Sequence, residues 1–150
     1  MKLMNLVNKV FSQSTVESID FALQSFVEKS KYINAAVLAT TKGLTVGAYV
    51  PVTNSEKKYS QDTKSVKKLS VMSSSLYSQA TSVSEEISDD KCNILTLETD
   101  STKILFYAIP NTEPAVILTL IADKEKLLGE LLFSAKSCSD IIEDLLVPKP

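Results

Sequence analysis

The chain has 150 residues, of which 44% are hydrophobic and 23% charged, a composition typical of one globular domain. Its formal net charge of −2 offers no electrostatic attraction to nucleic acid or to an anionic membrane surface, so we expect neither as a partner. No apolar run is long enough to span a membrane. The absence of His and Arg excludes the usual general base near neutral pH, an imidazole zinc ligand and an arginine finger.

The remaining polar residues offer no catalytic or cofactor site. Asp89 and Asp90 follow a helical pattern and are most simply interpreted as a solvated turn. The three glycines cannot be assembled into a phosphate-binding loop. Cys92 and Cys138 stand far apart without a CxxC context, which argues against metal ligation and fits reduced thiols in a cytosol. We therefore expect a cytoplasmic protein that is not an enzyme and that holds no cofactor or metal.

Residues 1–13 are predicted to form an amphipathic N-terminal extension, and residues 14–147 a single domain. The extension has apolar side chains at helical spacing: Leu3, Leu6, Val7, Val10 and Phe11. Polar residues interrupt its apolar stretch, which argues against a secretory signal. The extension either lengthens the first helix and packs on the core, the commoner outcome, or docks on a partner as an amphipathic arm.

The domain is predicted to begin with a helix and a hairpin. The segment Ser14-Thr15-Val16-Glu17 matches a capping box, so we expect a helix from Ser14 to about Ser30. Two strand-like runs follow, residues 32–40 and 44–50, and a short connection with Gly43 joins them. Residues 51–62 are polar and without periodicity, which predicts a mobile loop.

A long helix is predicted from about residue 63 to residue 88. Its apolar residues recur at spacings of three and four, so we expect them to pack on the sheet as one stripe: Val66, Leu69, Met72, Leu76, Ala80, Val83 and Ile87. The opposite side carries small and polar residues with one exposed Val71. Small side chains allow another helix to approach closely, although serine also simply decorates exposed helix faces.

Three further strands and a last helix complete the pattern. The strand-like runs, residues 92–99, 102–109 and 114–122, have connections too short for parallel crossovers and therefore predict an antiparallel meander. Asp123 is expected to cap the last helix, in which Gly129 would permit a close contact with the sheet. The predicted class is α/β (α+β), with the order α-β-β-α-β-β-β-α and helical layers on both faces of a five-stranded antiparallel sheet.

These segments resemble the roadblock / dynein light chain family, over roughly residues 16–146. The resemblance rests on the hairpin AAVLATTKGLTVGAYV with Lys42-Gly43-Leu44, on the small residues of the long helix, and on the Leu128-Gly129 step that opens the last helix. It implies a profilin-like sandwich in which the long helix covers one sheet face and the N- and C-terminal helices cover the other.

The resemblance also implies a function. Family members form dimers through the third strand and the long helix, and their dimers bind Ras-like small GTPases or serve as scaffolds. Mapped onto this chain, the dimer interface falls on Val71, Ser74, Ser75, Ser78, Asn93 and Leu95. The expected partner-binding residues are Lys64, Lys67, Val71 and Ser82.

The resulting prediction is a homodimeric, non-enzymatic module that regulates or scaffolds a Ras-like small GTPase. A heterodimer with a paralogue fits the same residues. The alternatives are a dynein-type structural adaptor and a small-molecule-sensing domain of PAS or GAF-like architecture.

Overall fold

The computed structural model describes residues 10–51 and 63–147. Three helices and five strands follow one another in the predicted order: α1 (Gln13–Lys29), β1 (Ile33–Thr40), β2 (Thr45–Tyr49), α2 (Thr63–Ser88), β3 (Ile94–Glu98), β4 (Thr102–Ile109), β5 (Val116–Asp123) and α3 (Leu128–Leu146). The five strands form one antiparallel sheet in the order β2-β1-β5-β4-β3. The predicted fold class, element order and profilin-like layering are confirmed.

Two layers of helices enclose the sheet. The larger core lies between the sheet and the layer of α1 and α3, and its fully buried members include Ile19, Leu38, Leu118, Leu131 and Ile142. Helix α2 covers the opposite face, where Val66 packs against Ala35, Val37, Val50 and Ile121. Strands β1 and β5 are buried along almost their whole length because helices lie on both of their faces.

The N-terminal cap of α1 differs from the prediction. Ser12, not Ser14, caps the helix, because its Oγ accepts a hydrogen bond from the backbone N–H of Thr15 at 3.1 Å. This choice places Phe11 directly before the cap, where it joins Val16 in the buried core. A hydrophobic pair at these two positions staples the entering chain to the first turn of a helix.

The start of α3 also differs from the prediction. Asp123 does not cap this helix but ends β5, since its N–H still donates to the carbonyl of Tyr32. The helix begins five residues later, after Leu127, which makes no side-chain capping bond.

The close approach between helix and sheet occurs at Gly47 instead of Gly129. A Cβ at Gly47 would lie 2.7 Å from Cγ2 of Ile19 and 2.9 Å from Oδ1 of Asp20, whereas a Cβ at Gly129 would meet nothing within 4 Å. The absence of a side chain therefore lets α1 lie close against β2, and the prediction for Gly129 is wrong. Gly43, at a φ of +92°, provides the predicted turn of the hairpin.

Two predictions concern residues outside the described ranges: the mobile loop, from residue 52 onward, and the extension up to residue 9. Within residues 10–51 and 63–147, no helix is both long enough and apolar enough to cross a membrane.

Candidate interaction surface

Helix α2 contacts the sheet through a row of hydroxyl groups. Ser70 Oγ lies 2.6 Å from Thr45 Oγ1, and Thr119 Oγ1 donates to Ser73 Oγ at 3.1 Å. Ser70, Ser73 and Thr119 are all buried. Polar groups in such positions are stable only when they find hydrogen-bond partners, and these pairs provide them. The side of α2 that faces the sheet is therefore rich in serine.

The apolar stripe of α2 is consequently turned partly away from the sheet. Val66 is buried and Leu69 half-buried as predicted, but Met72, Val83 and Ile87 are 52%, 60% and 80% exposed. The prediction that the whole stripe packs on the sheet is wrong for these three residues, since Ser70 and Ser73 occupy the contact positions. The exposed part of the stripe forms the first half of the candidate surface.

The predicted interface residues of α2 lie on two other sides of the helix. Ser74 is half-buried and donates its hydroxyl to the carbonyl of Thr41 at 2.6 Å, so it holds the hairpin turn. Val71 is exposed beside the same turn, and its Cγ2 would lie 3.5 Å from a Cβ at Gly43. The other predicted residues of this helix are exposed: Lys64, Lys67, Ser75, Ser78 and Ser82.

Strand β3 provides the second half of the surface because it is an edge of the sheet. Hydrogen bonds to β4 use the backbone of Asn93, whose carbonyl accepts from Ala108, and of Thr99, which donates to Thr102. Bonded residues alternate along an antiparallel pair. The N–H and C=O groups of Ile94, Thr96 and Glu98 therefore point away from β4, toward the open edge.

The side chains of β3 add an apolar component on the α2 side of the sheet. Leu95 and Leu97 are paired with Phe106 and Ile104 of β4, and directly paired residues point to the same face. Ile104 packs against the core beneath α2, so both leucines also face that side. Leu95 is half-buried and Leu97 exposed.

At the opposite edge of the sheet, β2, one outward N–H is bonded to a side chain of α1. Asp20 Oδ1 accepts a hydrogen bond from the N–H of Ala48 at 3.0 Å. The pKa of Asp20 is raised by partial burial, and the bond from Ala48 opposes this shift. Gly47 allows α1 to come near enough for this contact. Because exposed edges invite pairing with another chain, β3 is the better candidate for self-association.

The third strand was expected to be an interface, whereas the exposed stripe was not, because its apolar pattern predicted packing on the sheet. The signal for this exposed stripe was nevertheless present, since Ser70, Ser73 and Ser84 also recur at helical spacing. A helix with two such stripes can pack on the sheet with either one. Here the hydroxyl groups of Thr45 and Thr119 bond to the serine stripe and favour that side.

The described residues do not suggest metal or thiol chemistry. They bring no three Cys, Asp or Glu side chains close enough to hold a metal ion. Cys92 and Cys138 are buried and unpaired with each other, and burial raises the pKa of the Cys138 thiol to about 12. A thiol with that pKa is a weak nucleophile at neutral pH.

The layered sheet, its strand order and the single long helix on one face define a roadblock/LC7-type fold. Similar solved structures include a Roadblock/LC7 domain from Streptomyces avermitilis (18% identity, 83% of this chain and 94% of that chain, TM-score 0.70). MglB from Myxococcus xanthus is also similar (12% identity, 85% and 94%, TM-score 0.69), as is the gliding protein MglB from Thermus thermophilus (11% identity, 91% and 94%, TM-score 0.74).

At these identities the likeness establishes the fold. The sequence matches no family model, and no curated protein matches it.

Proposed function

We propose that two copies of this chain associate through β3 and α2, and that the dimer binds and regulates a Ras-like small GTPase in the cytoplasm. The chain would act by binding and not by catalysis. The observation that carries the proposal is the coincidence, on one side of the sheet, of an unpaired edge strand with exposed apolar side chains of α2.

The proposed dimer contact uses two kinds of interaction. Strand β3 would pair with its counterpart in a second copy through the outward backbone groups of Ile94, Thr96 and Glu98. The exposed apolar residues Val83 and Ile87 would be removed from water against the second α2, which supplies the main driving force for association. Solved structures of the same fold include an MglB "with tetrameric arrangement", which supports the expectation of an oligomer.

The sequence-based interface remains part of this proposal. Val71 and Ser74 lie on the side of α2 next to the hairpin turn, which we call the hairpin flank. Ser75 and Ser78 are exposed on the outer face of the helix, and Asn93 and Leu95 are at β3. The dimer contact therefore has two candidate sides of α2, the apolar stripe and the hairpin flank. Charge substitutions on each side distinguish them.

The proposal that the partner is a small GTPase is supported by the family resemblance, by the fold and by the amino-acid composition of the chain. Since the chain contains no Arg, it cannot insert an arginine finger, and it would change hydrolysis only by repositioning residues of the GTPase itself. The proposed contact residues are Lys64, Lys67, Val71 and Ser82. Free thiols at Cys92 and Cys138 fit a reducing cytoplasm.

The dimer is tested by sedimentation equilibrium at micromolar concentration. We expect the mass of two chains for the unmodified protein and of one chain for the double variant Val83→Glu, Ile87→Glu. Phe133→Glu is the matched control, because Phe133 is 74% exposed on the opposite helical layer and should leave the dimer intact. If Val71→Glu alone separates the chains, the contact lies on the hairpin flank.

Regulation is tested with purified Ras-like small GTPases. Phosphate release and release of a fluorescent nucleotide are measured with and without the dimer. We expect one of the two rates to change, and the double variant Lys64→Glu, Lys67→Glu to weaken the effect while Lys136→Glu on α3 does not. Binding without a change in either rate indicates a scaffold or a dynein-type adaptor, and no binding contradicts the proposed partner.

A further inference from the structure

Helix α2 carries its charges at the ends where the helix dipole disfavours them. Its start has Lys64, Lys67 and Lys68, with no acidic residue in the first turn, and its last turn has Glu85 and Glu86 and no basic residue. A helix is stabilised by the opposite distribution, because its N-terminal end is partly positive and its C-terminal end partly negative. The order of charges along α2 is therefore unfavourable for the helix on its own.

Two of these charges flank the exposed apolar stripe of α2. Lys68 and Glu86 are separated by about five full turns of the helix, so their side chains leave it on the same side. Met72 is four residues after Lys68, and Val83 is three residues before Glu86, spacings that make neighbours on a helix surface. Both charges are exposed, and neither has an ion-pair partner among the residues that the structure describes.

The proposed pairing of β3 determines the direction of a second α2. Two copies of one edge strand that pair in an antiparallel manner are related by a two-fold axis, which here passes near Thr96, the middle of the outward groups. The same axis places the second α2 on the same face of the joined sheet, running in the opposite direction.

The axis also lies near the middle of α2. Ser73, close to the middle of this helix, bonds to Thr119 of β5. Through β4, the ladder places Thr119 level with Leu95, which directly precedes Thr96. The start of one α2 therefore faces the end of the other, so that a basic end is opposite an acidic end.

We propose that Lys68 of each chain pairs with Glu86 of the other, and that these two pairs make the surface of α2 and β3 selective for an identical chain. The proposal rests on the dimer contact through the apolar stripe that is proposed above. In the antiparallel orientation the surface is complementary to itself, whereas in a parallel orientation lysine would meet lysine. A partner without this order of charges could cover the apolar stripe but would leave Lys68 and Glu86 unpaired or opposed.

Charge reversal tests the pairing by sedimentation equilibrium at low ionic strength. Lys68→Glu alone and Glu86→Lys alone each place like charges opposite each other in both pairs, so the dissociation constant of each variant should rise about tenfold or more. An equimolar mixture of the two variants restores both pairs and should sediment as two chains at concentrations where each variant alone is one chain. A chain with both changes should dimerise as tightly as the unmodified chain.

Lys67→Glu is the matched control, because it makes the same change of net charge about 100° away around the helix. It should have little effect on the dissociation constant, and a rise equal to that of Lys68→Glu would assign the effect to net charge and overturn the proposal. If neither reversal weakens an intact dimer, or if the mixture and the double variant do not recover it, Lys68 and Glu86 do not pair and the proposal is wrong while the dimer stands. If the unmodified chain is itself a monomer, the proposed dimer fails, and this pairing fails with it.

Discussion

At the scale of single residues, Gly47 determines how closely α1 approaches the sheet. Gly47→Ala would place a Cβ 2.7 Å from Cγ2 of Ile19, a side chain that is fully buried and cannot move without disturbing the core. We expect the free energy of unfolding to fall by about 1–3 kcal/mol, measured by urea denaturation. Gly129→Ala is the control, because its Cβ meets nothing within 4 Å, and it should leave stability unchanged or raise it by up to about 1 kcal/mol.

Asp20, which accepts a hydrogen bond from Ala48 at the β2 edge, should make stability depend on pH. Partial burial raises its pKa in the folded chain, with the bond from Ala48 acting in the opposite direction. A carboxyl whose folded pKa is above its unfolded value binds its proton more tightly when folded, so its charged form costs stability as the pH rises from below 3.8 through the folded pKa.

Asp20→Asn tests this sign, since the amide oxygen can still accept the bond from Ala48 but does not titrate. The free energy of unfolding of the asparagine variant, minus that of the unmodified chain, should increase between pH 3 and pH 6. A difference that stays constant over this range would mean that Asp20 titrates alike in the folded and unfolded chains.

At the scale of elements, α2 is held on the sheet by paired hydroxyl groups. Ser73→Ala would leave Thr119 Oγ1 buried without its partner, at a cost of about 1–3 kcal/mol. The double variant Ser73→Ala, Thr119→Val removes both polar groups and should recover most of that loss. Urea denaturation of both single variants and the double variant gives the coupling energy, and additive effects would contradict a direct bond.

The elements themselves could be predicted from the sequence because each depends on local pattern and turn chemistry. The long helix matches its predicted bounds, and the three-stranded meander follows from connections too short for any other pairing. The rotation of α2 could not be predicted in this way. Periodicity identifies two stripes, whereas the choice between them depends on Thr45 and Thr119, which are distant in sequence from Ser70 and Ser73.

The helix caps were missed for a related reason. Ser12 and Ser14 are equally good capping residues, and only the burial of Phe11 against the core favours the first. The sequence thus predicted that the candidate surface lies on α2 and β3. It did not predict which side of α2 is exposed to solvent. That side is a consequence of packing between elements.

At the scale of the whole molecule, the two edges of the sheet differ in the hydrogen bonding of their outward backbone groups. The N–H of Ala48 at the β2 edge is bonded to Asp20, while the outward backbone groups of β3 belong to Ile94, Thr96 and Glu98. The bond to Asp20 makes the β2 edge less available for pairing with another chain than the β3 edge. This asymmetry favours β3 as the strand that pairs in the proposed dimer.

The open edge leads to a last prediction, which separates strand pairing from contacts between side chains. Thr96→Pro removes an N–H that points away from β4, so it should break pairing with a second chain while it preserves the ladder within the chain. Thr96→Ala retains that N–H and is the control. We expect the proline variant to remain folded by circular dichroism but to sediment as one chain, and the alanine variant to sediment as two. If the proline variant stays folded and dimeric, the two chains do not pair along β3, and the exposed apolar residues of α2 must hold them together alone.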